Sequence, residues 1–205
     1  MQKATIKHAG LVRNKGNFSE MNADGRVITD YKQIQKVVDH CKGLGMRVVL
    51  TQGAFDMIHV GHGRYLKEAK SHGDILVVGV DSDKKIRHKK GPDRPVIPQE
   101  ERLEMLTHLR YVDLVFLKEL GDPKWGLIKT IKPDILIAIQ ENYTLKELKD
   151  LKQHCGKVVV LERQATTSTS AKVRLLQIGT AKKLEQKLTP RLLKAIEDVL
   201  AEVKG

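Results

Sequence analysis

Five short and nearly continuous aliphatic runs alternate with amphipathic helical patterns along most of this 205-residue chain. The runs lie at residues 47–51, 75–80, 112–117, 135–139 and 157–161. Strands that are apolar on both faces are typical of a parallel sheet covered by helices. Helical patterns follow at residues 60–71, 98–110, 123–131, 144–154 and 168–178. This alternation predicts an α/β fold, a Rossmann-like open parallel five-stranded sheet with helices on both faces.

The pattern also divides the chain into three segments. Residues 1–24 lack periodicity and are expected to form an irregular arm. Residues 25–180 are expected to form the α/β domain, and Asp30 is expected to cap its first helix. Residues 181–205 are predicted to end in an amphipathic helix that begins at Thr189-Pro190. One face of this helix is an apolar stripe that comprises Leu192, Leu193, Ile196, Val199, Leu200 and Val203. This stripe must be covered by the chain's own domain or by a second subunit.

Composition favours small anionic ligands. The net charge is +12, so the surface attracts nucleotides and sugar phosphates. The lysines are spread along the chain and aromatic residues make up only 4%, which does not favour nucleic-acid binding. Two cysteines do not make a disulfide framework, and no long apolar run or signal-like N-terminal stretch is present. A cytoplasmic protein without a membrane partner is therefore expected.

The segment after the first run carries the clearest chemical pattern. Residues 53–62 read G-A-F-D-M-I-H-V-G-H and join a predicted strand to a predicted helix. A phosphate group would be suited by three features of this segment. His59 and His62 supply donors, and Gly61 lets the backbone approach the ligand closely. The backbone of the turn is the third feature, at Thr51, Gln52, Gly53, Ala54 and Phe55. A structural histidine pair or half of a metal site is the alternative, although zinc needs further ligands at suitable spacing.

Other polar residues are expected at the same edge of the sheet. Asp81 follows the second run, a basic loop at residues 88–95 contains Lys90 and Arg94, and Arg102 lies early on the next helix. Further along, Arg163 precedes Ser168 and Thr169 at a predicted helix start. No nucleophile with a neighbouring base is evident, and the cationic set suits phosphoryl transfer.

Each of these positions also has a plain structural interpretation. Asp81 could cap a turn, the basic loop could be solvated surface, and Arg102 could be a surface charge on its helix. The Ser/Thr run could serve as helix capping, and Trp125 is expected in the core or at an interface.

The G-x-F-D-x-x-H-x-G-H pattern resembles the signature of the cytidylyltransferase-like nucleotidyltransferases, and the likeness runs from about residue 25 to residue 178. Within that superfamily the chain is most similar to the heptose 1-phosphate adenylyltransferases, through K-G-P-D-R-P at residues 90–95, Y-V-D at 111–113 and K-P-D at 132–134. It is also similar to the glycerol-3-phosphate cytidylyltransferases, whose R-T-x-G-I-S-T-T pattern falls on residues 163–170.

The resemblance implies an enzyme that transfers NMP from an NTP, with ATP favoured, to a sugar phosphate. It implies Mg²⁺, an NTP and a phosphorylated small-molecule acceptor as ligands, and a homodimer, with no metal ligands from the protein itself. The implied catalytic residues are His59, His62, Lys90 and Arg102. The implied nucleotide-binding residues are Thr51, Gln52, Gly53, Ala54, Phe55, Gly61, Arg163, Ser168 and Thr169, and the implied substrate-binding residues are Asp56, Asp81 and Arg94.

Two segments depart from the resemblance. Residues 138–143 read A-I-Q-E-N-Y, where the heptose enzymes have a Lys-Gly-Gly-Asp-Tyr-like turn near the nucleotide base. Residues 164–167 read Q-A-T-T and lack the usual Thr and Gly. Two alternatives therefore stay open: a CTP-dependent cytidylyltransferase for a polyol or amino-alcohol phosphate, and a nucleotide-binding regulator with weak catalysis.

Overall fold

Six parallel strands form one sheet in the computed structural model, which describes residues 25–139, 143–162 and 169–203. The strands are β1 (Val27–Ile28), β2 (Val48–Gly53), β3 (Ile75–Asp81), β4 (Leu114–Lys118), β5 (Ile135–Ile139) and β6 (Lys157–Leu161). The helices are α1 (Tyr31–Gly43), α2 (Val60–Lys70), α3 (Asp83–Lys90), α4 (Gln99–Thr107), α5 (Gly126–Ile131), α6 (Leu145–Leu151) and α7 (Thr169–Val203). The predicted α/β class is confirmed.

The sheet order is β1-β4-β3-β2-β5-β6, and the neighbouring pairs are parallel. The chain runs from β2 outward to β3 and β4 and then returns to place β5 on the other side of β2. In such sheets the ligand crevice lies beyond the carboxyl ends of the strands where this reversal occurs. All five predicted strands are present, and the sixth, β1, has only two residues and is too short to show a periodic pattern.

Helices cover both faces of the sheet, as predicted. One core layer contains Leu66 of α2 and Leu106 of α4, and the other contains Ile34 of α1 and Ile128 of α5. Along β3 the side chains alternate between the layers, which explains why the strand is apolar throughout. Asp30 caps α1 as predicted, because its carboxylate accepts from Gln33 N at 2.8 Å.

Helix α3 corrects the prediction of a basic loop at residues 88–95. Residues 88–90 complete a helix that Ser82 caps and that ends at Gly91, whose φ is 94°. The basic residues of the last turn favour this geometry because cations stabilise the carboxyl end of a helix, and glycine adopts the positive φ that ends it. The loop itself therefore begins at Gly91.

The chain divides into two compact units, Met1–Gln164 and Ala165–Gly205. In the second unit α7 runs without interruption through Pro190, so the predicted helix start at Thr189-Pro190 was wrong. A proline removes one backbone donor, and the hydrogen bonds of the neighbouring turns can carry the helix past it. Side chains of the predicted apolar stripe are exposed at Leu192, Leu193, Ile196 and Val199. That this stripe is covered by the chain's own domain or by a second subunit stays a prediction. The domain limits at residues 24 and 180 also stay predictions.

Candidate active site

A strained turn connects β2 to α2. Phe55 and Met57 have φ values of 49° and 50°, a region that side chains other than glycine rarely adopt. A Cβ on Gly53 would lie 3.1 Å from the Phe55 ring, so glycine lets this ring fold back over the strand end. The ring centroid of Phe55 lies 5.7 Å from that of His62. The Phe55 ring of this turn therefore packs against His62.

His59 and His62 lie together at the start of α2, with ring centroids 4.3 Å apart. The Nδ1 atom of His59 accepts from Gly61 N at 3.1 Å, and that of His62 accepts from His59 N at 3.3 Å. A neutral imidazole that accepts at Nδ1 carries its proton at Nε2. Both rings are half-buried, so part of each ring lies at the surface of the site.

The histidines also modify the predicted role of the helix start. The Gly61 amide donates to His59 Nδ1 and the His62 amide donates to the His59 carbonyl at 2.9 Å, so these first-turn donors already have partners. The proposed phosphate contact therefore falls to the imidazole rings rather than to these two amides.

Arg102 has a positioning role in this structure. Its side chain is 1% exposed, Nε donates to the Ile97 carbonyl at 3.0 Å, and Nη1 donates to the Ala54 carbonyl. Nη2 donates to the Asp81 carbonyl at 3.0 Å and to Asp83 Oδ1 at 2.8 Å. The guanidinium thus ties together the segments that follow β2 and β3. These contacts use four of its five N–H donors, and the predicted contact with a nucleotide stays a prediction.

Asp56 and Arg94, both predicted to bind substrate, pair with each other instead. Arg94 Nη2 lies 2.7 Å from Asp56 Oδ2, and both side chains are largely buried. The Asp56 carboxylate also accepts from Val96 N at 3.1 Å and from Ile97 N at 3.0 Å. This carboxylate therefore anchors the loop that precedes α4, and a substrate contact stays a prediction.

Asp81 lies between two lysines at the carboxyl end of β3. Lys118 Nζ is 3.0 Å from Oδ1 and Lys89 Nζ is 3.1 Å from Oδ2. Burial alone would raise the pKa of Asp81, but the two ammonium groups outweigh it and hold the pKa below its usual value. Burial lowers the pKa of Lys118, and the Asp81 charge opposes this shift. The group carries a net positive charge.

This cluster forms part of a cavity of about 800 Å³ at the carboxyl edge of the sheet. Six basic side chains line it: Lys85, His88, Lys89, Lys90, Lys118 and Lys124. Its three carboxylates already have partners, since Asp81 pairs with lysines, Asp122 accepts from Tyr31 at 2.9 Å and Glu147 pairs with Lys124 at 3.1 Å. Desolvation, and then the charge of Arg94, lowers the pKa of Lys90. The cavity therefore suits an anionic ligand.

Aromatic side chains complete the walls of this cavity. Tyr31, Trp125 and Tyr143 line it, and Gln52 Nε2 lies 3.5 Å from the Tyr143 hydroxyl. Trp125 was expected in the core or at an interface; it is half-buried and packs against the core layer that contains Ile34 and Ile128. It also lines the cavity, with Lys124 Nζ 4.7 Å from its ring. Sequence reasoning also missed Lys118, although its place at the end of an aliphatic strand was a usable signal.

Several predicted nucleotide contacts are only partly described. Thr51 is fully buried, and its hydroxyl lies 2.5 Å from that of Tyr65, whose pKa burial raises to about 12. Thr51 therefore has no surface open to a ligand in this structure, and its nucleotide contact stays a prediction. Arg163, Ser168 and the altered turn at residues 140–142 lie outside the described residues, as does the side chain of Thr169.

A magnesium ion would depend mainly on its substrate for ligands. Within the described part of the chain, no group of three or more His, Cys, Asp or Glu side chains could hold a metal. Asp56 and Asp81 are already paired with cations. Mg²⁺ often enters phosphoryl-transfer sites already bound to the triphosphate, and the cationic lining fits such a magnesium nucleotide.

Among the described helices, none combines the length and apolarity needed to cross a membrane.

Relatives of this chain share its motif region. Curated proteins named Bifunctional protein HldE from a Nitratiruptor species and from Geobacter sulfurreducens are 38% and 39% identical over 149 and 142 residues. The matches cover 72% and 69% of this chain but 32% and 28% of those proteins, so the chain spans about a third of their length. The solved lipopolysaccharide core biosynthesis protein from Thermoplasma volcanium GSS1 is 33% identical.

That structure superposes with a TM-score of 0.51, covering 58% of this chain and 98% of its own. The model of the cytidylyltransferase-like family matches residues 50–191, which include the whole turn with its histidine pair. This match covers more than half of the sequence. The chain therefore belongs to the cytidylyltransferase-like family of nucleotidyltransferases.

Proposed function

We propose that this chain transfers AMP from ATP to a sugar phosphate of the heptose 1-phosphate class and releases pyrophosphate. The observation that carries the proposal is the pair of imidazole rings of His59 and His62 at the start of α2, at the carboxyl edge of the sheet that also holds a cationic cavity. The relatives named Bifunctional protein HldE, and the resemblance to heptose 1-phosphate adenylyltransferases, support this acceptor.

The reaction needs no activated protein nucleophile. A phosphate oxygen of the acceptor attacks the α-phosphorus of the nucleotide and forms the new P–O bond. The bond from that phosphorus to the oxygen bridging to the β-phosphate breaks, and its electron pair leaves with pyrophosphate. Because the attacking oxygen is already anionic, no general base is required. The protein acts by positioning the reactants and by stabilising the charge that develops on phosphoryl oxygens.

The histidines and Lys90 share this task. The two Nε2–H groups would donate to oxygens of the reacting phosphates, while Lys90 would neutralise charge from the end of α3. Magnesium would neutralise further charge on the triphosphate. Lys90 lies just before Gly91, whose positive φ ends the helix, so its backbone is held while its side chain reaches into the cavity.

A panel of nucleotides and acceptors tests the proposal. Pyrophosphate release would be measured with ATP, CTP, GTP and UTP, each with heptose 1-phosphate or glycerol 3-phosphate. The proposal predicts the highest kcat/KM with ATP and heptose 1-phosphate. Fastest release with CTP and glycerol 3-phosphate would instead indicate a cytidylyltransferase. Tight nucleotide binding without release in any combination would indicate a regulator.

We also propose that the enzyme works as a homodimer in the cytoplasm, with the apolar stripe of α7 covered by a second copy. The exposed side chains of Leu192, Leu193, Ile196 and Val199 support this contact. Light scattering on the full chain and on an Ile196→Lys variant tests the assembly. A dimer that the substitution converts to a monomer is expected, whereas an unchanged dimer would contradict the α7 contact.

A further inference from the structure

We infer that Lys118 and Asp81 together form a subsite for two neighbouring hydroxyl groups of the acceptor. The ammonium would donate to one hydroxyl, and the carboxylate would accept from the next. The inference rests on the proposed function for the choice of acceptor, and it adds a residue that determines acceptor specificity. The ligand class is a polyhydroxylated phosphate, such as a sugar 1-phosphate with a vicinal diol.

The two residues are direct neighbours in the sheet. Asp81 and Lys118 are paired in the β3–β4 register and form the carboxyl ends of their strands. Lys118 Nζ lies 3.0 Å from Asp81 Oδ1, and the side chains are only 14% and 11% exposed. Both line the cavity. The donor and the acceptor are therefore held side by side on rigid elements of the sheet.

The close contacts at Gly79 are a second, independent indication that the sheet fixes the position of the Lys118 side chain. A Cβ on Gly79 would lie 2.9 Å from Lys118 Cδ, 2.8 Å from Leu127 Cδ2 and 3.1 Å from Gln52 Cγ. A glycine inside a strand weakens it, and it often marks a place where another group approaches the backbone closely. Here the group is the aliphatic stem of Lys118, which lies over the sheet and carries the ammonium to Asp81.

Both partners keep capacity for a ligand. A lysine ammonium has three donors, and among the described residues Asp81 is the acceptor that Lys118 reaches. Each oxygen of Asp81 accepts from one lysine, Oδ1 from Lys118 and Oδ2 from Lys89, and each oxygen has a second lone pair. A donor and an acceptor 3.0 Å apart match two adjacent sugar hydroxyls, each of which can both donate and accept.

The surroundings favour a sugar over an amino alcohol. Tyr31 and Trp125 supply aromatic surface in the same cavity, which suits the apolar face of a sugar ring. An amino-alcohol phosphate would bring a second cation towards Lys85, Lys89 and Lys118, where like charges repel it. The alternative is a purely structural ion pair between Lys118 and Asp81.

Substitution of Lys118 by methionine separates these alternatives, since Lys118→Met keeps most of the stem over Gly79 and removes the ammonium. The matched control is Lys36→Met, which removes an exposed lysine of α1 that is not among the residues lining the cavity. For each protein, KM values for heptose 1-phosphate and ATP would be measured, together with calorimetric Kd values for heptose 1-phosphate and inorganic phosphate. Thermal melting would confirm folding.

The subsite predicts that Lys118→Met raises KM and Kd for heptose 1-phosphate by about tenfold to hundredfold, the range for loss of a charged hydrogen bond. The KM for ATP and the Kd for inorganic phosphate should stay within about twofold, as should all values for Lys36→Met. Unchanged acceptor affinity in Lys118→Met would overturn the inference, and so would an equal loss of phosphate affinity.

Failure of the proposed function would look different. A wild-type protein that binds heptose 1-phosphate but transfers no AMP to it would contradict the reaction, while the calorimetric comparison would still decide the subsite. A wild-type protein that does not bind heptose 1-phosphate would overturn the subsite directly.

Discussion

The imidazole rings of His59 and His62 lie 4.3 Å apart, and Nδ1 of each ring accepts from a backbone amide. The same residues therefore cap the start of α2 and, as neutral imidazoles, carry their protons at Nε2. Capping fixes the orientation of the rings before any substrate arrives, which is the kind of preorganisation that favours charge stabilisation in a transition state.

This arrangement predicts the tautomer of both histidines. At neutral pH, long-range proton–nitrogen correlation spectra of protein labelled with ¹⁵N in its histidine rings should show His59 and His62 protonated at Nε2 alone. The reason is that an acceptor at Nδ1 cannot also carry a proton. An Nδ1–H tautomer in either ring would contradict the capping geometry. Exposed His108, at a helix end, serves as a reference signal within the same spectrum.

The planar guanidinium group of Arg102 should stabilise the folded protein through its hydrogen bonds. Arg102→Lys keeps the charge but cannot reach all four acceptors, so we expect the free energy of unfolding to fall by about 3 kcal/mol. Urea denaturation measures the change. The control is Arg110→Lys at an exposed position, which should shift the free energy by about 0.5 kcal/mol or less. Equal effects of the two substitutions would mean that the buried hydrogen bonds contribute little.

Asp81 should contribute to acid stability. Its pKa in the folded protein lies below the ordinary 3.8, so the stabilisation it provides is present above that pH and is lost as pH falls through the folded-state pKa. The difference in unfolding free energy between the wild type and Asp81→Asn should therefore shrink as pH is lowered below 3.8. Denaturation across this range measures it, with exposed Asp39→Asn as the control. A difference independent of pH would be incompatible with the lysine pairing.

Gly79 should tolerate no added methyl group. Gly79→Ala places a Cβ 2.8 Å from Leu127 Cδ2 and 2.9 Å from Lys118 Cδ, so it should lower the free energy of unfolding by about 1–3 kcal/mol. Gly121→Ala is the matched control because open space surrounds that position, and it should stay within about 0.5 kcal/mol. Similar stability of the two variants, measured in urea, would show that neither Leu127 nor Lys118 packs against the strand at Gly79.

The strands were predictable from sequence because burial on both faces leaves continuous aliphatic runs. Residues 135–139 and 157–161 were placed at the bounds that the structure shows. Helix ends were harder, because local signals compete there. Helix α3 is short and strongly charged, with Ile86 as its one buried residue, so its sequence shows no apolar stripe that would predict a helix. Pro190 resembled a helix start but lies within a longer helix.

Site residues were predictable by location more than by role. The sequence placed Asp56, Asp81 and Arg102 near one edge of the sheet, and the structure brings them there. Charge alone could not show that Arg102 and Asp56 are held by protein partners, since this depends on contacts between residues far apart in sequence. Lys118 was missed because a lysine after a strand is ordinarily surface, whereas here Gly79 makes room for its stem.

The most direct test is the rate of AMP transfer from ATP to heptose 1-phosphate in His59→Asn and His62→Asn, with His108→Ala as the control. An asparagine oxygen can still cap α2, so folding is preserved while the Nε2–H donor is lost. The account predicts that each variant loses about two orders of magnitude or more in kcat while the control keeps the wild-type rate. Rates near wild type in both asparagine variants would contradict it.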